Sequence, residues 1–187
     1  MASYVIRRGR LEDVDSLLGL IVKLQEDFHR DGQPNITEDA LRRDAFSGEE
    51  ASLRFYVAEV PPTSDEKDAG SVVGFAATHN FYSIWKGRAL YLCGLFIEEN
   101  HRAHEECSIV SEILPHDRCG LHDEAHPRLF RQDSLDSGFV TLIWDSVPTN
   151  DRAMKFFAKM GVTNTTKTAE WEYFRLEKQA VMKFASE

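Results

Sequence analysis

A chain of 187 residues with 42% hydrophobic and 28% charged residues has the size and balance of one globular domain with its own core. Its formal charge of −9 argues against nucleic acid or an anionic membrane surface as a main partner, and fits a cationic small molecule or plain solubility. Three cysteines (Cys93, Cys107 and Cys119) make an odd count, the opening MASYVIRRGRLEDV lacks the apolar core of a signal peptide, and no apolar run approaches a transmembrane length, which together predict a cytoplasmic protein.

In chain order, SYVIRRG reads as a first strand. After Asp13, a candidate N-cap, Leu17, Leu18, Leu20, Ile21, Leu24 and Phe28 recur at helical spacing and predict an amphipathic helix. A shorter helix is predicted from near Thr37 in ITEDALRRDAF, with acids in its first turn where the helix dipole favours them. RFYVAEV, the polar stretch PPTSDEKDAGS and VVGFAATHNF read as an antiparallel hairpin with a long tip. RALYLCGLFI is apolar at nearly every position, as expected of a strand lying mid-sheet and covered on both faces. FVTLIWDSV is a second such run. A helix over TNDRAMKFFAKMG, opened by Thr149 or Asn150 and closed by Gly161, is followed by WEYFRLE as a strand and a short tail. The alternation defines an α/β class.

Between the two apolar strands, LFIEENHRAHEECSIVSEIL runs from a strand through a polar loop into a helical pattern. In α/β proteins a helix N-terminus in that position often holds a phosphate, because its first N–H groups point outward unpaired. The loop is unusual in having no glycine between Gly94 and Gly120. Further on, Cys119, His122 and His126, with His116, are metal-ligand types at short spacing. The run lacks a second clean pair, so a solvated insertion is the expectation and no metal is assigned.

The order of elements, together with YVIRRGRLEDVDSLLGLI, VAEV followed by VVGFA, FYSIWKGRALYL, SEIL, NDRAMKFFAKMG and EWEYFRLEKQAVMKFA, resembles the GNAT superfamily of acyl-CoA-dependent N-acyltransferases. The wording is most similar to its spermidine/spermine and thialysine acetyltransferase branch. The likeness runs nearly end to end and implies a single domain over 1–187, with a divergent insertion from about Ala103 to Gly138. It also implies the GNAT fold: a mixed, mostly antiparallel central sheet flanked by helices and splayed between the fourth and fifth strands.

The resemblance carries site residues with it. Acetyl-CoA would be bound through the backbone edge of Leu95, Phe96 and Ile97, by Asn150, and by a pyrophosphate loop beginning at Arg102 and including Glu105, Cys107 and Ser108. That loop normally carries glycine where Glu105 stands, and Glu105 and Glu106 place negative charge near an anionic ligand, which predicts weak affinity. The branch's strand-borne acid pair corresponds to Cys93 and Gly94. Its tyrosine, which protonates the leaving thiolate, corresponds to Phe157, whose ring has no proton to donate. Its cation-recognising acid corresponds to Ser83, beside Trp85. Glu26, Asp27 and Asp31, with Glu170, are either amine-facing acids or a solvated acidic face. The implied activity is acetyl transfer from acetyl-CoA to a small primary amine of the polyamine or thialysine class by a homodimer, with an impaired enzyme or an acyl-CoA-binding regulatory subunit as the alternative.

Overall fold

The computed structural model describes residues 4–28, 35–48, 51–62, 68–102, 141–159, 162–168 and 182. They fall into two compact units, 1–145 and 146–187. The first carries strands β1 (Val5–Arg8), β2 (Arg54–Glu59), β3 (Val72–Ser83), β4 (Gly87–Ile97) and β5 (Thr141–Trp144), with helices α1 (Val14–Asp27) and α2 (Glu38–Phe46) between β1 and β2. The second carries α3 (Asp151–Lys159) and the short α4 (Thr165–Thr168). The stretch from 103 to 138 expected to be an insertion, its candidate ligands Cys119, His122, His126 and His116, the strand expected at WEYFRLE, and Gly161 lie outside the described residues.

The five strands form one mixed, open sheet in the order β1-β2-β3-β4-β5. The first three pairings are antiparallel and β4–β5 is parallel. The hairpin expected from RFYVAEV and VVGFAATHNF is present as β2 and β3, and β4 lies inside the sheet between β3 and β5.

Alternation along the strands sorts their side chains into two cores, as a pleated sheet requires. One face gathers Tyr56, Ala58, Val73, Ala76, Leu90, Leu92 and Ile97. The other gathers Phe55, Val57, Phe75, Ala77 and Phe96 under Val14, Leu17 and Leu20 of α1 and Leu41 and Ala45 of α2. Each large side chain so buried contributes about 1.5–3 kcal/mol of transfer free energy. Leu18, Ile21 and Leu24 pack at the margin of this core, whereas Phe28, at the end of the apolar stripe, is exposed because the helix ends before it. Gly9 lets the chain leave β1 close against β2: a Cβ there would stand 3.0 Å from the Cβ of Phe55, whose carbonyl accepts the Gly9 N–H at 2.7 Å.

Helix starts follow local chemistry. Thr37 caps α2 through its side chain, which accepts the Ala40 N–H at 3.2 Å. Asn150, rather than Thr149, caps α3: its Oδ1 accepts the Ala153 N–H at 3.1 Å. Asp13 precedes α1 as expected, but its carboxylate does not cap that helix. It reaches back to accept the Arg10 N–H at 2.6 Å, closing a single helical turn over Leu11–Asp13.

The same carboxylate takes both terminal nitrogens of Arg7, at 2.7 and 2.8 Å, while Arg7 Nε donates to Glu59 at 2.6 Å. Arg7 thus ties the start of α1 to the edge of the sheet. Burial alone would raise the Asp13 carboxyl, but the bonds from Arg7 and the Arg10 N–H outweigh it and hold the group below its ordinary value. A lowered folded value means that this contribution is complete above the unfolded carboxyl range near pH ~4 and is lost as pH falls through the folded value. Arg7→Met should therefore destabilise the protein by about 3 kcal/mol at neutral pH, by leaving the buried Asp13 and the partly buried Glu59 uncompensated. The difference between Arg7→Met and the parent in urea denaturation should shrink on acidification below about pH 4; equal denaturation midpoints at neutral pH would contradict this.

Candidate active site

β4 and β5 pair only from Ala89–Thr141 to Leu92–Trp144. β5 then ends, while β4 continues to Ile97. Along Cys93–Ile97, the β4 edge that faced β5 has no strand partner among the described residues. Its backbone groups need another partner, and in open α/β sheets ligands bind where neighbouring strands part beyond their carboxyl ends. The edge is held firmly. Phe96 is buried in one core, and Ile97, with Leu95 packed beside it, in the other. The side chains of these three residues are occupied by packing.

The strand is also irregular at this point. Gly94 pairs with Ala77 and Leu92 with Thr78, so Cys93 is the extra residue of a β-bulge. Thr78 Oγ1, buried opposite Leu92, has no hydrogen-bond partner among the described residues. A Cβ on Gly94 would lie 3.2 Å from the Phe75 ring, which is itself packed between Phe55 and Phe96. A side chain at 94 would need that ring to give by a few tenths of an ångström.

Cys93 is exposed as a residue, yet its sulfur is turned onto the Ala77 carbonyl at 3.3 Å. That local burial pushes the thiol up, and the charge of Asp145 acts in the same direction. A thiol kept protonated is a poor proton acceptor, which argues against Cys93 as the base. Around it stand three residues that the strand pattern alone does not single out. The Tyr91 hydroxyl donates to Asp145 Oδ1. The His79 ring stacks on Tyr91 with centroids 5.0 Å apart and planes 28° apart. Positions 91 and 93 share the face of β4 that 79 occupies on β3, and Asp145 follows directly on β5.

The remaining expected residues are placed as follows. Arg102 Nε donates to the Ile97 carbonyl at 2.6 Å, its Nη2 pairs with Asp27, and its guanidinium lies 5.2 Å from the centre of the Phe96 ring. Asp27 is thereby engaged by a cation, and Glu26 is exposed on α1. Ser83 accepts the N–H groups of Trp85 and Lys86, each at 3.3 Å, and shapes the β3–β4 tip, where Trp85 is 77% and Ile84 83% exposed. Phe157 is partly buried on α3, and the Asn150 carbonyl accepts the Met154 N–H at 2.9 Å. Glu105, Cys107, Ser108, Asp31 and Glu170 lie outside the described residues. A groove of about 610 Å³ between α1 and the ends of β2 and β3 is lined by Arg7, Asp13, Lys23, Glu59 and Glu98. Its charges already pair with one another, and Glu98 places its rim beside the end of β4.

No protein-family model matches the chain. The thialysine N-epsilon-acetyltransferase of Bos taurus is 30% identical over 185 residues, covering 99% of each chain. The chain belongs to the GNAT family of N-acetyltransferases. Among solved structures, an integron cassette protein from the mobile metagenome of V. cholerae superposes with a TM-score of 0.64 at 19% identity, over 100% of this chain and 99% of that one. AAC(6')-Iy in complex with a bisubstrate analogue, CoA-S-monomethyl-acetylneamine, superposes with a TM-score of 0.63 at 16% identity, over 94% and 99%. Both support the GNAT fold read from the open, splayed sheet.

The proximity of Asp145 to the Cys93 sulfur has a measurable effect. Asp145→Asn removes a charge that raises the thiol, so the pH midpoint for alkylation of Cys93 by iodoacetamide should move down, with faster modification near neutral pH. With Cys107 and Cys119 replaced by serine, an unchanged alkylation profile would contradict that placement.

Proposed function

We propose that this GNAT protein transfers acetyl from acetyl-CoA to a small primary amine of the thialysine or polyamine class, and that it does so as a cytoplasmic homodimer. The observation that carries the reading is the backbone edge of β4 over Cys93–Ile97, which has no strand partner among the described residues beyond the end of β5 and of which Arg102 holds the Ile97 carbonyl. An extended amide-bearing arm such as pantetheine can bind to such an edge by main-chain hydrogen bonds, as an added strand does. The fit needs no particular side chain. Acyl-CoA would supply an activated carbonyl there. The relatives' names point to the amine, and the net charge of −9 favours a cationic acceptor. The impaired-enzyme alternative gains no support from the comparisons.

Magnitudes favour turnover despite the departures at Cys93, Gly94 and Phe157. Holding two reactants in register is worth about 7–11 kcal/mol of barrier. A general acid or base contributes ~10²–10⁴-fold, or roughly 3–5 kcal/mol. A fold that retains the edge thus retains the larger effect.

Calorimetric titration with acetyl-CoA should show saturable binding, and mass spectrometry should detect N-acetyl product from thialysine or spermidine. Absence of both would sink the reading. On the family's alignment Phe157 stands where a proton donor acts on the leaving thiolate. Phe157→Tyr should therefore raise kcat by about 10-fold or more without changing acetyl-CoA affinity; an unchanged kcat would remove that role. Light scattering at high protein concentration should give twice the chain mass, and a monomer would contradict the dimer.

A further inference from the structure

We propose that Asp145 is the carboxylate that receives the acceptor ammonium and takes its proton, in place of an acid pair on β4, with Tyr91 as its positioning residue. The proposal rests on the acetyltransferase reading and deepens it.

The last parallel pair is Leu92–Trp144, so Cys93 and Asp145 are the first residues beyond it on their strands. They face each other where the free edge of β4 begins. β4 itself offers no acid at these positions: Gly94 has no side chain and lies tight against Phe75, and Cys93 presents a thiol turned onto a carbonyl. The candidate acid Asp27 is held by Arg102. Among the described residues Asp145 has no cationic partner. Its bond comes from the Tyr91 hydroxyl onto Oδ1, which leaves Oδ2 for an ammonium, and Tyr91 is itself held by stacking on His79.

The reaction balances with this residue alone. One proton leaves the ammonium for Asp145 and passes to solvent. The freed lone pair forms the C–N bond at the thioester carbon, and the C–S bond breaks with its electron pair on sulfur. A second proton from the nitrogen goes to that sulfur. The products are the N-acetyl amine, the free thiol of CoA and one proton. No donor is required at Phe157, although one would assist.

The test compares the full chain with Asp145→Asn, Asp145→Glu and Tyr91→Phe, using acetyl-CoA with thialysine and with spermidine. Asp145→Asn should lower kcat/KM at least about 100-fold and abolish calorimetric binding of the amine, while acetyl-CoA binds as before. Asp145→Glu should recover part of the activity, and Tyr91→Phe should lose less than Asp145→Asn. Full kcat/KM in Asp145→Asn, or equal loss of acetyl-CoA binding, would overturn the proposal. If Asp145→Asn does not fold, Tyr91→Phe decides: reduced amine affinity with unchanged acetyl-CoA binding supports it, and unchanged kcat/KM overturns it. If the parent protein transfers no acetyl group, the proposed activity fails by itself. Amine binding that Asp145→Asn removes would still support the amine site, and absence of amine binding in the parent would overturn it.

Discussion

The parting of β4 from β5 depends on one mismatch of length. β4 runs through Ile97, whereas the parallel partner β5 stops at Trp144, level with Leu92. Among the described residues β4 therefore has strands on both sides over Ala89–Leu92 and only β3 beside it over Cys93–Ile97. Main-chain donors and acceptors are strong obligatory hydrogen-bonding groups, and removing a strand leaves them to water or a ligand. In an ordinary edge strand such a row is an aggregation hazard. Here Leu95, Phe96 and Ile97 anchor the row from both faces and the antiparallel β3 holds its other side, so the exposed edge is also a stiff one. Stiffness matters because an acceptor of extended ligands works by presenting its groups already in position.

The second constraint is packing. Phe75 lies between Phe55 and Phe96 in the core under α1 and α2, and its ring reaches close to the Gly94 Cα position. Interiors are packed as densely as molecular crystals, so a side chain at 94 would need the Phe75 ring to give by a few tenths of an ångström. The bulge at Cys93 has a related effect. By adding a residue opposite the Ala77–Thr78 step it re-aims the strand just where its parallel partner ends.

Much of the fold was legible in the residues. The apolar run of β4, the hairpin of β2 and β3 and the Thr37 cap each rest on local rules of period, turn chemistry and capping, and local rules are visible in one sequence. Asp13 shows where they stop. A cap is predicted from the residue's place before the helix, but its carboxylate is drawn backward by Arg7, a partner on another element. The site divides in the same way. Resemblance names Leu95–Ile97 as an expectation, because a backbone edge follows from strand order. It could not point to Asp145, which lies just past the end of an apolar run. Its meeting with Tyr91 and Cys93 depends on the parallel register of β4 against β5, and nothing local in either strand specifies that register. His79 is a similar case, since its ring meets Tyr91 only through the β3–β4 pairing.

Electrostatics explain why charges elsewhere in the protein are poor candidates for chemistry. Arg7, Asp13 and Glu59 satisfy one another beside α1, and Lys23 pairs with Glu98. Arg102 spends its guanidinium on the Ile97 carbonyl, on Asp27 and on the face of Phe96. Those contacts secure the end of β4 and the exit of α1, and a side chain so engaged would have to give them up to bind a phosphate. A hydrogen bond to a charged group is worth about 1.5–3 kcal/mol, so surrendering several is a cost comparable with a good ligand contact. A carboxylate bonded by a neutral hydroxyl keeps its charge available. That difference separates Asp145 from Asp13 and Asp27: each has a hydrogen-bond donor, but among the described residues only the latter two have a cation that already answers their charge.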